Sequence, residues 1–226
     1  MPNRAIVSIA ERGGRPVAEQ ETSSRMGSGQ LAPRAYNKVY AAWALQLLQP
    51  VAGKVVLEIG MSDGFFAEQL RLAGVGVVGG DVDAQAAARA LTRSIPAVAL
   101  DARDLPVRRS SVDAVAMFDV LEHVRAPHEV LLEIGSVLRP GGDLLLTTPN
   151  LNGADRFLHP ATWSGVADPG HLYLWSSPAL RHLVERSGFV DVRIRTPAHG
   201  LRGLAARAVE AVRLGGQLLL TARSPE

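Results

Sequence analysis

The pattern of hydrophobic and polar positions divides the chain into successive blocks, which predict alternating strands and helices. Short runs of aliphatic and β-branched residues predict strands near 54–59, 75–80, 96–100, 112–118 and 142–148. Apolar residues spaced three and four apart predict helices near 64–73, 84–93, 127–138 and 178–187. Two more strands are predicted at 189–195 and 217–222, with an amphipathic helix over 201–213 between them. This rhythm is typical of a mostly parallel sheet covered on both faces by helices.

Three regions differ from this rhythm. Residues 1–30 are polar and rich in Gly, Ser, Arg and Glu, which predicts a flexible N-terminal arm before a single domain over 31–226. A helix beside the first strand is predicted to end before Pro50, with the apolar positions Tyr36, Val39, Tyr40, Trp43, Leu47 and Leu48. The irregular stretch 150–177 holds two of the three Trp residues, and we predict that it forms a lid, because long irregular loops are often functional.

The first predicted strand ends in an acid and a turn that contains two glycines. Glu58 closes the apolar run, and Gly60 and Gly64 flank the turn. Gly60 would let the backbone approach a ligand without a Cβ in the way, and Gly64 would let the next helix pack against the strand. Because a carboxylate at this place would repel a pyrophosphate, Glu58 favours a nucleotide-like ligand with a positive or hydrogen-bond-donating end.

Acids also follow the second and third predicted strands. Asp81 is placed to accept hydrogen bonds from both hydroxyls of a ribose. Asp101 could accept from an adenine amino group, and the backbone N–H of Ala102 could donate to a ring nitrogen. Alone, each acid could equally cap a helix, and the glycine turn could be purely structural. Their joint order along the chain favours a ligand site.

Five short motifs occur in order, each at a strand end. They are Glu58-x-Gly60-x-x-x-Gly64, Gly79-x-Asp81, Asp101-Ala102 followed by Leu105-Pro106, Leu121-Glu122-His123-Val124, and Leu138-x-Pro140-Gly141-Gly142. In this order they resemble the class I S-adenosylmethionine-dependent methyltransferases, over roughly residues 35–195. The resemblance is closest to the small-molecule branch that includes the ubiquinone-type O-methyltransferases. One departure is Ser62, where the family most often has glycine.

The resemblance implies an α/β fold, a doubly wound seven-stranded mostly parallel sheet of the Rossmann-like class I methyltransferase type, with a lid insertion after strand 5. It also implies S-adenosyl-L-methionine as the cofactor, bound where successive strands end. The hydroxyl of Ser62 is expected near the methionine carboxylate. The predicted cofactor-binding residues are Glu58, Gly60, Ser62, Gly64, Asp81, Val82, Asp101, Ala102 and Phe118.

Histidines supply the candidates for proton transfer. His123 lies in the Leu-Glu-His-Val motif and His171 lies in the predicted lid. Both are predicted as catalytic residues, because an acceptor hydroxyl must lose a proton when it is methylated. Glu122 is predicted to support the loop. Substrate contacts are predicted for His159, Trp163 and Tyr173.

Composition narrows the kinds of site that are expected. The net charge of +2 comes without a Lys/Arg run suited to a phosphate backbone, and the absence of cysteine excludes disulfides, thiolate zinc sites and a cysteine nucleophile. No metal is predicted, since no compact metal motif matches the spacing of Asp155, His159, Asp168 and His171. Without a long apolar run or a signal-peptide core, a cytoplasmic location is expected.

The sequence therefore predicts an enzyme that moves a methyl group to a small-molecule acceptor. The expected acceptor is a hydroxyl of a natural-product, sugar or quinone-like biosynthetic intermediate. N- or C-methylation and a non-catalytic S-adenosylmethionine-binding partner protein are the open alternatives. A nicotinamide oxidoreductase is disfavoured because the G-x-G-x-x-G spacing is missing. The expected partner is a small-molecule substrate, with no nucleic acid and no membrane span, and a homodimer is left open.

Overall fold

A computed structural model describes residues 34–197 and 203–226, and a seven-stranded sheet lies at its centre. The strands are β1 (Val55–Ile59), β2 (Gly76–Asp81), β3 (Ala97–Ala99), β4 (Val112–Phe118), β5 (Leu138–Pro149), β6 (Val190–Arg195) and β7 (Gln217–Arg223). They lie in the order β3-β2-β1-β4-β5-β7-β6. Strands β1 to β5 pair in parallel, whereas β7 is antiparallel to β5 and β6. The predicted α/β fold with a seven-stranded, mostly parallel sheet is confirmed.

Helices lie before, between and after these strands. They are α1 (Arg34–Leu47), α2 (Phe65–Leu72), α3 (Ala84–Leu91), α4 (Pro127–Val137), α5 (Ala154–Leu158), α6 (Ser164–Ala167), α7 (Ser177–Arg186) and α8 (Gly203–Ala211). A short 3-10 helix spans Leu121–His123. None of the helices in the described ranges is long and apolar enough to cross a membrane.

The sheet has a hydrophobic core on each face. All five residues of β1 are buried, and successive side chains of a strand point to opposite faces. Leu57 belongs to the core cluster that contains Leu131 of α4, whereas Val56 belongs to the cluster that contains Ala44 of α1. Because both faces of the central strands are covered, a ligand can reach them at their carboxyl ends, which is where open α/β sheets bind ligands.

One strand boundary and one buried helix face differ from the sequence predictions. Strand β5 begins at Leu138, paired with Val112, and the register then shifts so that Asp143 pairs with Ala114. The Pro-Gly-Gly motif is thus a bulge within β5. In α1, Tyr40 and Leu48 are buried as predicted, but Val39 and Leu47 are exposed because the buried stripe is narrower than the apolar one. The predicted arm over 1–30 and residues 201–202 lie outside the described residues.

Residues 150–177, where the sequence predicts a lid and which we call the lid segment, are hydrogen-bonded near one end to the segment before β7 and near the other to the 3-10 helix after β4. At one end, Asn150 Nδ2 donates to the carbonyls of Arg213 (3.1 Å) and Gly215 (2.7 Å). At the other, the N–H groups of Leu172 and Tyr173 donate to the Glu122 carbonyl at 2.8 and 3.2 Å. The lid segment therefore packs against the 3-10 helix that follows β4, at the carboxyl end of the sheet.

Candidate functional site

The turn after β1 brings its backbone close to β2 and to the loop after β4. The N–H groups of Gly60 and Met61 both donate to the Gly80 carbonyl, at 2.8 and 3.2 Å. Gly60 has φ 75°, and a Cβ on it would lie 2.2 Å from Val120 Cγ2. A side chain at position 60 would thus meet both a steric clash and a left-handed backbone. The contact with Val120 is a reason for glycine that the sequence did not predict, and the close approach of a ligand to Gly60 stays a prediction.

Ser62 and Asp81 are joined by a hydrogen bond across the ends of β1 and β2. Ser62 has φ 49°, a left-handed conformation that explains why glycine is usual at this place in the family it resembles. Its N–H donates to Asp81 Oδ2, and the N–H of Asp83 donates to Asp81 Oδ1, both at 2.9 Å. Asp81 therefore shapes the turn, and its partly exposed carboxylate keeps lone pairs for a ligand.

Glu58 is a buried acid with a free oxygen. Glu58 is 5% exposed, and its Oε2 atom has no hydrogen-bond partner among the described residues. Burial raises the pKa of Glu58 well above its usual range, and the charges of Asp63 and Asp81 add to the effect, although a backbone hydrogen bond from Ala67 opposes it. A buried, unpartnered carboxylate is costly, which makes Glu58 a site for a cationic or hydrogen-bond-donating group.

Arg93 holds the far side of the glycine turn. Its guanidinium donates to the Asp63 carbonyl (2.8 Å), to Asp63 Oδ2 (3.0 Å) and to Glu68 Oε2 (3.0 Å). These bonds tie the end of α3 to the turn and to the first turns of α2. The guanidinium of Arg93 thus fixes the loop that would contact a ligand, through several charge-assisted hydrogen bonds on its far side.

The acid after β3 already has a partner. Both oxygens of Asp101 accept from the Arg103 side chain, at distances of 2.6 to 3.2 Å. Hydrogen bonding to Arg103 lowers the pKa of Asp101. Sequence reasoning missed this pairing, which competes with an adenine amino group for the carboxylate. Beside it, Val82 is 48% exposed and Ala102 is partly buried, so both can contact a ring.

Phe118 joins the aromatic cluster under this end of the sheet. Its ring centroid lies 4.6 Å from that of Phe66 and 5.1 Å from that of Tyr40. Trp43 lies 6.3 Å away. Together with the turn after β1 and the ends of β2 and β3, Phe118 forms what we call the cofactor edge. The structure gathers the nine predicted cofactor residues on these neighbouring segments.

The 3-10 helix and the lid segment form a second polar cluster, the acceptor edge. The rings of His123 and His171 pack against each other with centroids 4.6 Å apart. His123 Nδ1 lies 3.0 Å from the Gly170 carbonyl, and His171 Nδ1 lies 3.1 Å from the Gly165 carbonyl. Burial lowers the pKa of His123, and the neighbouring His171 adds to the effect. The two predicted catalytic histidines therefore lie side by side.

Two carboxylates, the buried Glu122 and the partly buried Asp119, belong to the same region. Glu122 is 1% exposed, its Oε2 accepts from Thr148 Oγ1 at 3.0 Å, and its Oε1 has no hydrogen-bond partner among the described residues. Burial raises the pKa of Glu122 well above its usual range, with nearby Asp119 contributing. Burial likewise raises the pKa of Asp119 to about 6, although a hydrogen bond from Thr147 opposes it. The motif pointed to Glu122, but only the fold reveals its free oxygen.

The predicted substrate residues are less closely grouped. Tyr173 stacks on Trp175 with centroids 5.3 Å apart, and its hydroxyl donates to the Arg125 carbonyl at 3.0 Å. Trp163 is 4% exposed and packs on Gly165, so it supports the lid segment from inside. His159 is exposed at the end of α5. Tyr173 is thus the best placed of the three to meet an acceptor.

S-adenosylmethionine fits the cofactor edge on the chemistry of the residues present. The free oxygen of Glu58 suits the methionine ammonium group, and the partly exposed carboxylate of Asp81 can accept hydrogen bonds from the two hydroxyls of a ribose. Glu58 stands where a dinucleotide would place its pyrophosphate, and a carboxylate there would repel that group. The site therefore suits a nucleoside with a cationic tail.

Comparisons with known proteins agree with this geometry. The family model described as a methyltransferase domain matches residues 34–194, more than half of the chain. A "Probable S-adenosylmethionine-dependent methyltransferase" of Mycolicibacterium smegmatis is 31% identical over 147 residues, covering 64% of this chain and 55% of that protein. A tRNA U34 carboxymethyltransferase of Trichlorobacter lovleyi is 29% identical over 155 residues, covering 64% of this chain and 47% of that protein. The chain spans about half the length of these curated relatives.

A solved structure supports the same fold. The crystal structure of a SAM-dependent methyltransferase from Archaeoglobus fulgidus superposes with a TM-score of 0.66 at 17% identity, covering 83% of this chain and 94% of that one. At that identity the likeness concerns the fold alone. Together with the family match over most of the described residues, it leads to one conclusion: the chain belongs to the class I S-adenosylmethionine-dependent methyltransferases.

Proposed function

We propose that the protein transfers a methyl group from S-adenosylmethionine to a hydroxyl of a small-molecule acceptor bound at the acceptor edge. The observation that supports this proposal is the pairing of His123 and His171. Each Nδ1 faces a backbone carbonyl, and a carbonyl can only accept a hydrogen bond. In a neutral ring, this contact places the proton on Nδ1 and leaves a lone pair on Nε2 for an acceptor hydroxyl.

The residues of the chain then have separate tasks. S-adenosylmethionine, when bound, supplies a methyl group on a cationic sulfur that needs no further activation. The cofactor edge orients it through Glu58, Asp81 and the Gly60 turn. The acceptor edge has to hold the acceptor oxygen in line, promote the loss of its proton and exclude water. His123 and His171 are proposed to act on that proton, and the lid segment to cover the acceptor.

The shape of the lid segment favours a cyclic acceptor. Tyr173 and Trp175 form a stacked pair, and Tyr173 is 37% exposed, so part of its ring is open to a planar or ring-shaped molecule. His159 and Trp163 complete the proposed substrate contacts, with Trp163 acting from behind. A natural-product, sugar or quinone-like biosynthetic intermediate fits this surface. A cytoplasmic location and a homodimer stay predictions.

A tRNA acceptor is the second candidate, because curated relatives at about the same identity are named tRNA U34 carboxymethyltransferase. The chain spans less than half the length of those proteins. Its net charge of +2 and lack of a Lys/Arg run give little attraction for a polyanion. These features favour the small-molecule proposal.

Methyl transfer from labelled S-adenosylmethionine tests both candidates in one assay. Phenols, sugars, amines and bulk tRNA are offered as acceptors to the wild type, H123A, H171A and the control H182A, whose histidine is exposed on α7. We expect label on a hydroxyl acceptor, a loss of about 100-fold in H123A or H171A, and no loss in H182A. Label on tRNA alone, or on nitrogen or carbon alone, would contradict the proposal, and no label on any acceptor would favour the non-catalytic partner.

A further inference from the structure

We propose that Glu122, His123 and His171 bind a divalent transition-metal cation at the acceptor edge. One potential ligand atom from each of the three lies within 4.8 Å of the other two. Two of the residues lie next to each other on the 3-10 helix, and the third comes from the lid segment. This cluster differs from the four lid residues weighed from the sequence, because only the fold brings His171 to Glu122.

The hydrogen bonds of both histidines prepare them as ligands. The Nδ1 atoms of His123 and His171 face the carbonyls of Gly170 and Gly165, so Nε2 is the ring atom whose lone pair is left for a metal. Metal-binding histidines generally donate their second ring N–H to a carbonyl or carboxylate in this way, which fixes the tautomer and the ring orientation. Here both rings are already held by the backbone of the lid segment.

Glu122 supplies the anionic ligand. One of its oxygens is fixed by Thr148, and the other, Oε1, lacks a hydrogen-bond partner within the described ranges although the residue is 1% exposed. Oε1 lies 4.0 Å from His171 Nε2, which is too long for a hydrogen bond. Two ligands with metal bonds of about 2.1 Å in a tetrahedral site lie about 3.4 Å apart, so this pair would have to close by about half an ångström. The other two pairs, which lie within 4.8 Å, would have to close by at most about 1.4 Å.

Charge around the cluster also favours a cation. Asp168 Oδ2 lies 4.0 Å from His171 Nε2. Among residues 34–197 and 203–226, no Lys or Arg forms an ion pair with Asp119, Glu122 or Asp168. A carboxylate as buried as Glu122 is costly without a counter-ion, and a bound dication would offset that cost.

The donor set selects the class of ion. Two imidazole nitrogens and one carboxylate oxygen suit Zn²⁺ and similar ions, whereas Mg²⁺ and Ca²⁺ prefer oxygen donors. Three protein ligands leave an open position. Resting on the proposed function, this position would suit the acceptor oxygen: a bound cation would promote loss of the hydroxyl proton to water, so that His123 and His171 would act on that proton through the cation and not by accepting it themselves.

Calorimetric titration of the metal-free protein with ZnCl₂, in the absence of any acceptor, tests the site. We expect one equivalent of Zn²⁺ to bind with a dissociation constant below about 10 µM. E122Q and H171A should each weaken binding at least ~10-fold, because H171A removes a ligand and E122Q replaces an anionic carboxylate with a neutral amide. The matched control H182A should bind as the wild type does. Circular dichroism melts of each variant establish that the fold is intact.

Wild-type protein that binds no stoichiometric Zn²⁺ would overturn the proposal, as would binding that E122Q and H171A leave unchanged. The wild-type titration needs no variant and so remains decisive even where a variant unfolds. The titration is also independent of turnover. Zn²⁺ binding without methylation of any acceptor would support the cation site and contradict the proposed function. Methylation that survives chelation, in a protein that binds no Zn²⁺, would contradict the cation site and support the proposed function.

Discussion

The cofactor edge and the acceptor edge meet at the same end of the sheet, yet they are held by different means. At the cofactor edge, the polar groups are fixed by contacts between the ends of the adjacent strands β1 and β2: Ser62 bonds to Asp81, 19 residues away, and Gly60 and Met61 bond to Gly80. At the acceptor edge, partners come from far along the chain, as with His123 and the Gly170 carbonyl. One edge depends on the turn after β1, and the other on how the lid segment docks.

Because the two edges are held differently, binding of the cofactor and binding of the acceptor should depend on different contacts. A local turn fixed by backbone bonds and by Arg93 can be preorganised for a cofactor before any acceptor arrives. A segment that docks through Asn150 and the Glu122 carbonyl can differ in sequence and length without disturbing that turn. Changes at one edge should therefore leave ligand binding at the other nearly intact.

The largest effect is expected from Gly60→Ala. The new Cβ would lie 2.2 Å from Val120 Cγ2 and would occupy a left-handed conformation, so we expect the free energy of unfolding to fall by about 3 kcal/mol or more. S-adenosylmethionine affinity should fall as well. Urea denaturation and calorimetry measure the two effects. The control Gly141→Ala also has positive φ, but its Cβ would meet no atom within 4 Å, so its loss should be about 1–2 kcal/mol.

Asn150→Ala tests the other edge. The Asn150 side chain makes three hydrogen bonds, to the Arg213 and Gly215 carbonyls and from the Asn152 N–H, and it is 1% exposed. Its loss should lower the free energy of unfolding by about 2 kcal/mol and raise the KM for the acceptor, because it anchors the lid segment. Affinity for S-adenosylmethionine should stay within about twofold of the wild type. An equal loss of affinity for both ligands would refute the separation of the edges, and Asn152→Ala, at an exposed position, is the control.

What could be predicted from the sequence follows the same division. The strand ends, the Gly60 turn and Asp81 are local features, in which an apolar run and a turn fix the position of a side chain to within a few residues. The pairing of Asp101 with Arg103 escaped prediction because it depends on side-chain rotamers. The contact of His123 with His171 escaped because it depends on how 47 intervening residues return to the sheet.

The accuracy of the predicted element boundaries was also limited by contacts with distant parts of the chain. The Pro-Gly-Gly motif predicts a break, and in the fold the break is a bulge inside β5, since Leu138 already pairs with Val112. The apolar stripe of α1 includes Val39, which is 50% exposed. Apolar spacing reports which side chains could be buried, whereas the neighbouring elements decide how many of them are.

A smaller, pH-dependent effect is expected from Glu58→Gln in the ligand-free protein. The pKa of Glu58 is raised in the folded state, chiefly by burial, so ionisation of Glu58 opposes folding. The wild type should lose stability as the pH rises from the unfolded pKa through the folded one, while E58Q should not. E58Q should thus be more stable by about 1 kcal/mol at pH 8 and equal to the wild type near pH 4. A stability difference that is the same at both pH values would contradict this account of Glu58.

The most direct test of the cofactor edge is calorimetric titration of Asp81→Ala with S-adenosylmethionine. We predict affinity at least ~10-fold weaker than that of the wild type, because two charge-assisted hydrogen bonds to the ribose are lost. Asp83→Ala, which removes the N-cap of α3 two positions further on, should cost about 1 kcal/mol of stability and leave the affinity nearly unchanged. Unchanged affinity in D81A, or equal losses in both variants, would contradict the claim that Asp81 holds the cofactor.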